Sequence, residues 1–226
     1  MRLAIPLFLV GVLAFAVFVP FEPLEAEEKP VSKDQQVAAL EGGKPLPEGA
    51  MDITFPWIGK QSIMCVGDSV ERQIAFVDFS DEDVDSLGSV QVAADGTATG
   101  SFTVRAVDLK TGHAGRDKKL MDGAWLDAES NPTVSFTAKS MKRVKPTVWQ
   151  INGQWNMRGT FKTVSFLANV RWIGEMKYVG KTVVRVKGQF RINLKDYGIT
   201  NPSVGTPAVA EHWDVDVVLL GVAVKK

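Results

Sequence analysis

The chain has one cysteine, Cys65, and two histidines, His113 and His212, among 226 residues. A lone thiol closes no disulfide within the chain, so stability has to come from a packed core, which this length allows. Cys65 itself reads as a small buried apolar side chain, with pairing between two chains in a homodimer as the alternative. One Cys and two separated His do not supply the ligand spacing of a zinc site, so no metal is expected. Charge of one sign is also missing. The 26 basic residues balance 26 acidic ones, which gives no attraction for nucleic acid. No Gly-rich loop opens a helix, Gly-x-Ser-x-Gly is absent, and no Ser–His–acid order stands out. Tyr is scarce (2) beside 6 Trp and 12 Phe. That balance supplies large apolar surface with few phenol hydroxyls, as a filled core or an apolar ligand cavity would need.

One long apolar run is present. Residues 3–19 follow Met1-Arg2 and end at Pro20 and Glu22. This is the layout of a secretory signal peptide over residues 1–26, with Ala26 as the small residue at the cleavage site. An uncleaved anchor is the alternative, since the run approaches spanning length. Either way the remainder is expected outside the cytoplasmic membrane, periplasmic or secreted. Residues 27–50 are rich in Glu, Lys, Pro and Gly and read as a flexible linker with one helical turn. The globular domain is expected over residues 51–226.

That domain carries β signals. Residues 73–78 make a short strand. Residues 89–93 and 98–109 make a hairpin about Asp95-Gly96. Phe102, Val104 and Ala106 share one face of its second strand. Residues 133–141 place Val134, Phe136 and Ala138 on one side. Residues 147–157 place Trp149, Ile151, Trp155 and Met157 on one side, with Gln150, Asn152, Gln154 and Asn156 opposite. The same period puts Val164, Phe166, Ala168, Val170 and Trp172 together, then Val184, Val186, Phe190, Ile192 and Leu194, then Trp213, Val215, Val217 and Leu219. Long strands with one dry and one charged face suit an all-β antiparallel barrel of about eight strands, whose closure also removes exposed edges. Gly153 and Gly188 fall inside strands, where a bend of the wall or a close approach would use them. Between two of these strands, residues 111–132 carry a turn, a short polar helix over 116–121 and Trp125, which is more than a hairpin needs. Within them, the loop 112–127 is expected to cover one end, with Arg116, Asp117, Leu120 and Trp125 as the cap.

The chain resembles the YceI-like family of secreted, lipocalin-like β-barrels that bind polyisoprenoid or related lipids. The resemblance lies in Ala106-Val-Asp-Leu-Lys-Thr-Gly112, Arg116-Asp117 with Leu120, Trp125-Leu-Asp127, Asn131-Pro132 and Phe136. It continues in Ile151-Asn-Gly-Gln-Trp-Asn-Met-Arg-Gly159 and Phe190-Arg-Ile-Asn-Leu-Lys-Asp-Tyr-Gly-Ile199. Two features depart from the family. Arg158 stands where it usually has His, and residues 51–70 lack its His-Ser start and Lys-His pair. The resemblance implies a bound isoprenoid, quinone or similar amphiphilic lipid as partner, with no required cofactor.

An acid–base site at His113, Arg116 and Asp117, with Asp108 upstream, competes with a bland reading in which Arg116 and Asp117 cap or clamp the short helix, and the clamp is preferred. The stripe Arg185, Lys187, Arg191 and Lys195 reads as a wet face, with peripheral contact to anionic lipid head groups as the second reading. The chemistry expected is therefore burial. The cavity is expected to be lined by Phe102, Val104, Val134, Phe136, Trp149, Ile151, Trp155, Phe166, Val170, Val184, Phe190, Ile192, Trp213 and Val217. A lipid-binding protein without enzymatic activity is preferred. A secreted enzyme acting on a small apolar substrate and a ligand-free interaction module stay open.

Overall fold

The computed structural model describes residues 33–56, 61–67, 73–77, 87–178 and 180–226. The signal peptide expected over residues 1–26 lies outside the described residues. Among those residues no helix is long and apolar enough to cross a membrane.

The strands are β1 (Met51–Thr54), β2 (Ser62–Gly67), β3 (Gln73–Val77), β4 (Gly88–Val92), β5 (Thr97–Arg105) and β6 (Leu109–Lys110). They continue as β7 (Thr133–Lys145), β8 (Val148–Met157), β9 (Thr160–Met176), β10 (Lys181–Asn193) and β11 (His212–Lys225). Eight of them close an antiparallel barrel in the order β1-β4-β5-β7-β8-β9-β10-β11, with β11 returning to β1. The remaining three, β2, β3 and β6, extend the sheet from the other half of β11. Strand length explains the split. At about 3.3 Å per residue, the 14 residues of β11 span roughly 46 Å, enough for two neighbours along one edge. Residues 222–225 pair with β1, and residues 214–218 pair with β2.

Alternation drives closure. In β8, Trp149, Ile151, Trp155 and Met157 are buried, and the Gln and Asn residues between them are only partly so. In β11, Trp213, Val215, Val217 and Leu219 repeat the pattern. Arg158 turns the chain between β8 and β9 with φ +52°, beside Gly159 at +67°. Positive φ at both central residues is the turn twist that matches antiparallel strands.

Three boundaries differ from the sequence expectation. The strand expected over 98–109 stops at Arg105 and becomes a 3-10 turn, Ala106–Asp108. Arg105 holds Asp108 by two side-chain hydrogen bonds of 2.8 Å, and the Ala106 amide donates to the Pro132 carbonyl, so the chain leaves the β5 ladder and reaches β3 as β6. The polar helix α2 is longer than expected and covers Ala114–Met121. The segment expected as a flexible linker holds an eight-residue helix, α1 (Lys33–Leu40), followed by a stretch packed on the barrel with Leu46 buried.

Candidate functional site

The inward faces of the barrel strands line a cavity of about 70 Å³. Its surface is entirely apolar. It is lined by seven of the fourteen expected residues: Phe102, Phe136, Trp149, Ile151, Phe166, Val170 and Val217. Val104, Val134, Trp155, Val184, Phe190 and Ile192 are buried in the same core but do not touch this space. Trp213 is buried as well, and it lines a separate cavity.

An aromatic layer accounts for the division. Phe166 stacks on Phe190 with centroids 5.0 Å apart, and Trp155 meets Phe190 edge-on at 5.2 Å. Phe136 contacts Phe102, Phe166 and Phe190 at 5.8, 5.7 and 6.4 Å. Such pairs add about 0.5–1.5 kcal/mol each beyond area burial. Phe102, Phe136 and Phe166 present their near sides to the cavity, while Trp155 and Phe190 fill the barrel behind them. The two strand glycines make room for the layer. A Cβ at Gly153 would lie 2.5 Å from Phe136 Cζ, and one at Gly188 would lie 2.7 Å from Phe166 Cε2. Close approach of a ring is what Gly188 serves, while Gly153 admits both the Phe136 ring and the backbone carbonyl of Thr137.

Thirteen further residues line the cavity that sequence reasoning did not place there, among them Leu46, Ile53, Phe55, Met141, Val186 and Leu219. Val186 and Leu219 already stood on dry faces, and parity does not say which dry residue borders space. Leu46 had a signal of its own, as the one large apolar residue within Lys44-Pro-Leu-Pro47.

The expected cap covers the other end of the barrel. Leu120 is buried and Trp125 partly buried, and both line a second cavity of about 190 Å³ with Cys65, Trp213 and the basic side chains Arg116 and Lys119. Asp117 clamps the helix. Its carboxylate accepts from both the amide and the hydroxyl of Thr111 at 2.6 Å. The Thr111 hydroxyl bond foremost, then its amide and the nearby Lys110 and His113 charges, outweighs desolvation and holds the Asp117 carboxyl below its ordinary range. Arg116 is exposed and has no ion pair among the described residues. His113 precedes the helix without a side-chain capping bond. Arg158, at the position that departs from the family, donates to the Gly123 carbonyl at 2.6 Å and ties the cap to the β8–β9 turn. Among the described residues, no group of three or more His, Cys, Asp or Glu stands together as a metal site.

On the outer wall, Arg191 makes a bidentate pair with Asp214 at 2.7 and 2.9 Å, and Lys195 reaches Glu211 at 3.6 Å. Lys187 is exposed. The basic stripe is thus partly neutralised by β11 and its approach.

Solved structures share this architecture. BcnA of Burkholderia cenocepacia aligns with a TM-score of 0.55 at 15% identity, covering 71% of this chain and 95% of that one. The YCEI protein of Campylobacter jejuni aligns at 0.50, again at 15% identity, covering 73% and 82%. By sequence, a UPF0312 protein of Pseudomonas putida is 30% identical over 125 residues, which is 53% of this chain and 62% of the relative. The chain thus spans about three fifths of that relative's length. A UPF0312 protein of Pseudomonas syringae pv. tomato is 25% identical over 167 residues, covering 69% and 84%. Residues 68–220 match the YceI-like domain, and with the closed eight-strand barrel above, the chain belongs to the YceI-like family.

Proposed function

We propose that this chain is a lipid-binding protein acting outside the cytoplasmic membrane, which holds the apolar chain of an isoprenoid, quinone or similar amphiphile in its barrel. The observation that carries the reading is the wholly apolar surface of the cavity within the barrel. Burial of an apolar chain contributes about 0.8 kcal/mol per methylene and needs no catalytic group. The cavity of about 70 Å³ is well below the roughly 300–1,000 Å³ of typical ligand sites. A long chain therefore has to displace side chains as it enters. The test is extraction of full-length protein purified from a lipid-containing host, followed by mass spectrometry. An amphiphile in near-stoichiometric amount is expected, and repeated recovery of none, from protein whose melting temperature no added lipid raises, rejects the reading.

The small cavity and the aromatic layer also favour a second reading, a filled barrel that serves as an interaction module. It predicts no extracted lipid and no lipid-induced rise in melting temperature.

A further inference from the structure

We propose that residues 41–47 are a strap that closes the cavity mouth, that an amphiphile with an anionic head group displaces this strap, and that Arg143 and Trp149 then hold the head group by its oxygen atoms. The inference rests on the lipid-binding reading and adds an entrance and a head-group chemistry to it.

The strap crosses the barrel end that carries the β4–β5 and β7–β8 turns. Four contacts seat it. The Gly42 amide donates to Thr147 Oγ1 at 3.1 Å, and Asn169 Nδ2 donates to the Gly42 carbonyl at 3.3 Å. The Trp172 amide donates to the Lys44 carbonyl at 2.8 Å, and Arg143 Nη2 donates to the Leu46 carbonyl at 3.2 Å. The side chain of Leu46 is 3% exposed and forms part of the cavity wall. Pro45 and Pro47 lack amide donors, so this stretch cannot zip onto the sheet as a strand. It is held by one apolar anchor and a few bonds, mostly from side chains, an attachment that an incoming apolar chain can replace at the anchor's own seat. Among the described residues, the opposite side of the cavity has no such element. There the aromatic layer of Phe102, Phe136 and Phe166, backed by Trp155 and Phe190, blocks the way to the α2 end.

Beneath the strap lie donors without acceptors. The Arg143 guanidinium sits 5.4 Å over the Trp149 ring. Arg143 Nε and Trp149 Nε1 are both buried and have no hydrogen-bond partner among the described residues. Trp149 is 2% exposed and lines the cavity. Buried donors are ordinarily satisfied, and a guanidinium beside an indole N–H matches the oxygens of a phosphate or carboxylate. Charge nearby agrees. Lys142 and Lys145 are exposed on the same rim, and Arg171, packed under Gly43 of the strap, also has an unpartnered buried Nε. Glu48 shares the outer groove with Lys142 and Arg143, but no ion pair joins it to either among the described residues. The only strap acceptor on Arg143 is the Leu46 carbonyl, a neutral group that an oxyanion would outcompete.

The test is calorimetric titration of the full chain with n-decyl phosphate, n-decanol and inorganic phosphate. Decyl phosphate is expected to bind at least tenfold tighter than decanol, with no binding of inorganic phosphate at the same concentrations. Arg143→Gln should cut the phosphate preference to under threefold. Trp149→Phe keeps the ring and loses the N–H, so it should weaken decyl phosphate several-fold and leave decanol unchanged. Leu46→Ala should strengthen both decyl compounds, because it removes the competing anchor. Hydrogen exchange over residues 41–49 should accelerate when decyl phosphate saturates the protein. Unaltered or slowed exchange there overturns the strap, and an Arg143→Gln variant that keeps the full preference overturns the head-group site. Inorganic phosphate binding as tightly as decyl phosphate overturns both. Equal binding of decyl phosphate and decanol to the unaltered chain rejects the head-group site while the lipid-binding reading stands. Binding of neither, even to Leu46→Ala, rejects the lipid-binding reading with it. If Arg143→Gln does not fold, Trp149→Phe and the exchange measurement still decide.

Discussion

Gly188 of β10 faces Phe166 of β9 so closely that a Cβ at position 188 would stand 2.7 Å from Phe166 Cε2. The ring can give way only toward the cavity or toward Phe190, with which it already stacks. Gly188→Ala should therefore cost about 1–3 kcal/mol as an overpacked core. In a chain of this size, each kcal/mol lowers the melting temperature by about 2–4 °C. Gly123→Ala is the control, because no atom lies within 4 Å of its new Cβ. Equal melting temperatures for the two variants would refute the close-approach role.

Phe136 and Trp155 sit deepest in the aromatic layer, 5% and 1% exposed. Phe136→Ala should destabilise by about 3–5 kcal/mol. Phe136→Asp or Trp155→Asp should prevent folding, since neither charge would find a partner there. Lys187→Glu, on the wet face of β10, should stay within about 0.5 kcal/mol of the parent. Circular dichroism melts decide, and a folded Phe136→Asp beside an unfolded Lys187→Glu would invert the assignment of faces.

The Thr111–Asp117 clamp should be acid-sensitive. Its carboxyl is held below the ordinary Asp value of about 3.9, so the stabilisation is complete above that value and is lost as pH falls through the lower folded-state value. Thr111→Val removes the hydroxyl bond and keeps the amide bond. The Asp117 carboxyl, followed by NMR titration, should then move up. A titration unmoved by the substitution would assign the shift to another cause.

Cys65, 3% exposed in β2, should be chemically silent in the folded protein. Burial first, and the Asp216 charge second, push its thiol up to about 12, so almost no thiolate exists at neutral pH. Iodoacetamide should label it only in concentrated guanidinium, and air oxidation of folded protein should yield no disulfide-linked dimer. Fast labelling under native conditions would mean that β2 opens readily from β11.

Much of the barrel is legible in the chain because side-chain direction along a strand has a period of two. Trp149, Ile151 and Trp155, or Trp213, Val215 and Val217, declare a dry face without knowledge of any neighbour. The turn at Arg158-Gly159 and the polar helix before Trp125 are local as well. The break at Ala106 was not legible, because it depends on a carbonyl contributed from Pro132, outside the strand itself. Residues 51–54 carry no strand signal of their own, because β1 is only four residues long and gains its identity from pairing with β4 and β11.

Sequence alone therefore determined the fold class, the inward faces of the long strands and the apolar character of the interior, all of which are set by local periodicity and composition. Tertiary structure decided where that interior is filled and where it is open. Phe166, Phe190 and Trp155 share a parity rule with Ile151 and Val217, but only the curvature of the closed wall brings the rings together into a layer and leaves space on one side of it. The role of Leu46 was decided in the same way. A lone leucine between two prolines has no periodicity to place it, and its position in the cavity wall follows from the seating of its stretch on Arg143, Thr147 and Asn169, about a hundred residues further along the chain or more.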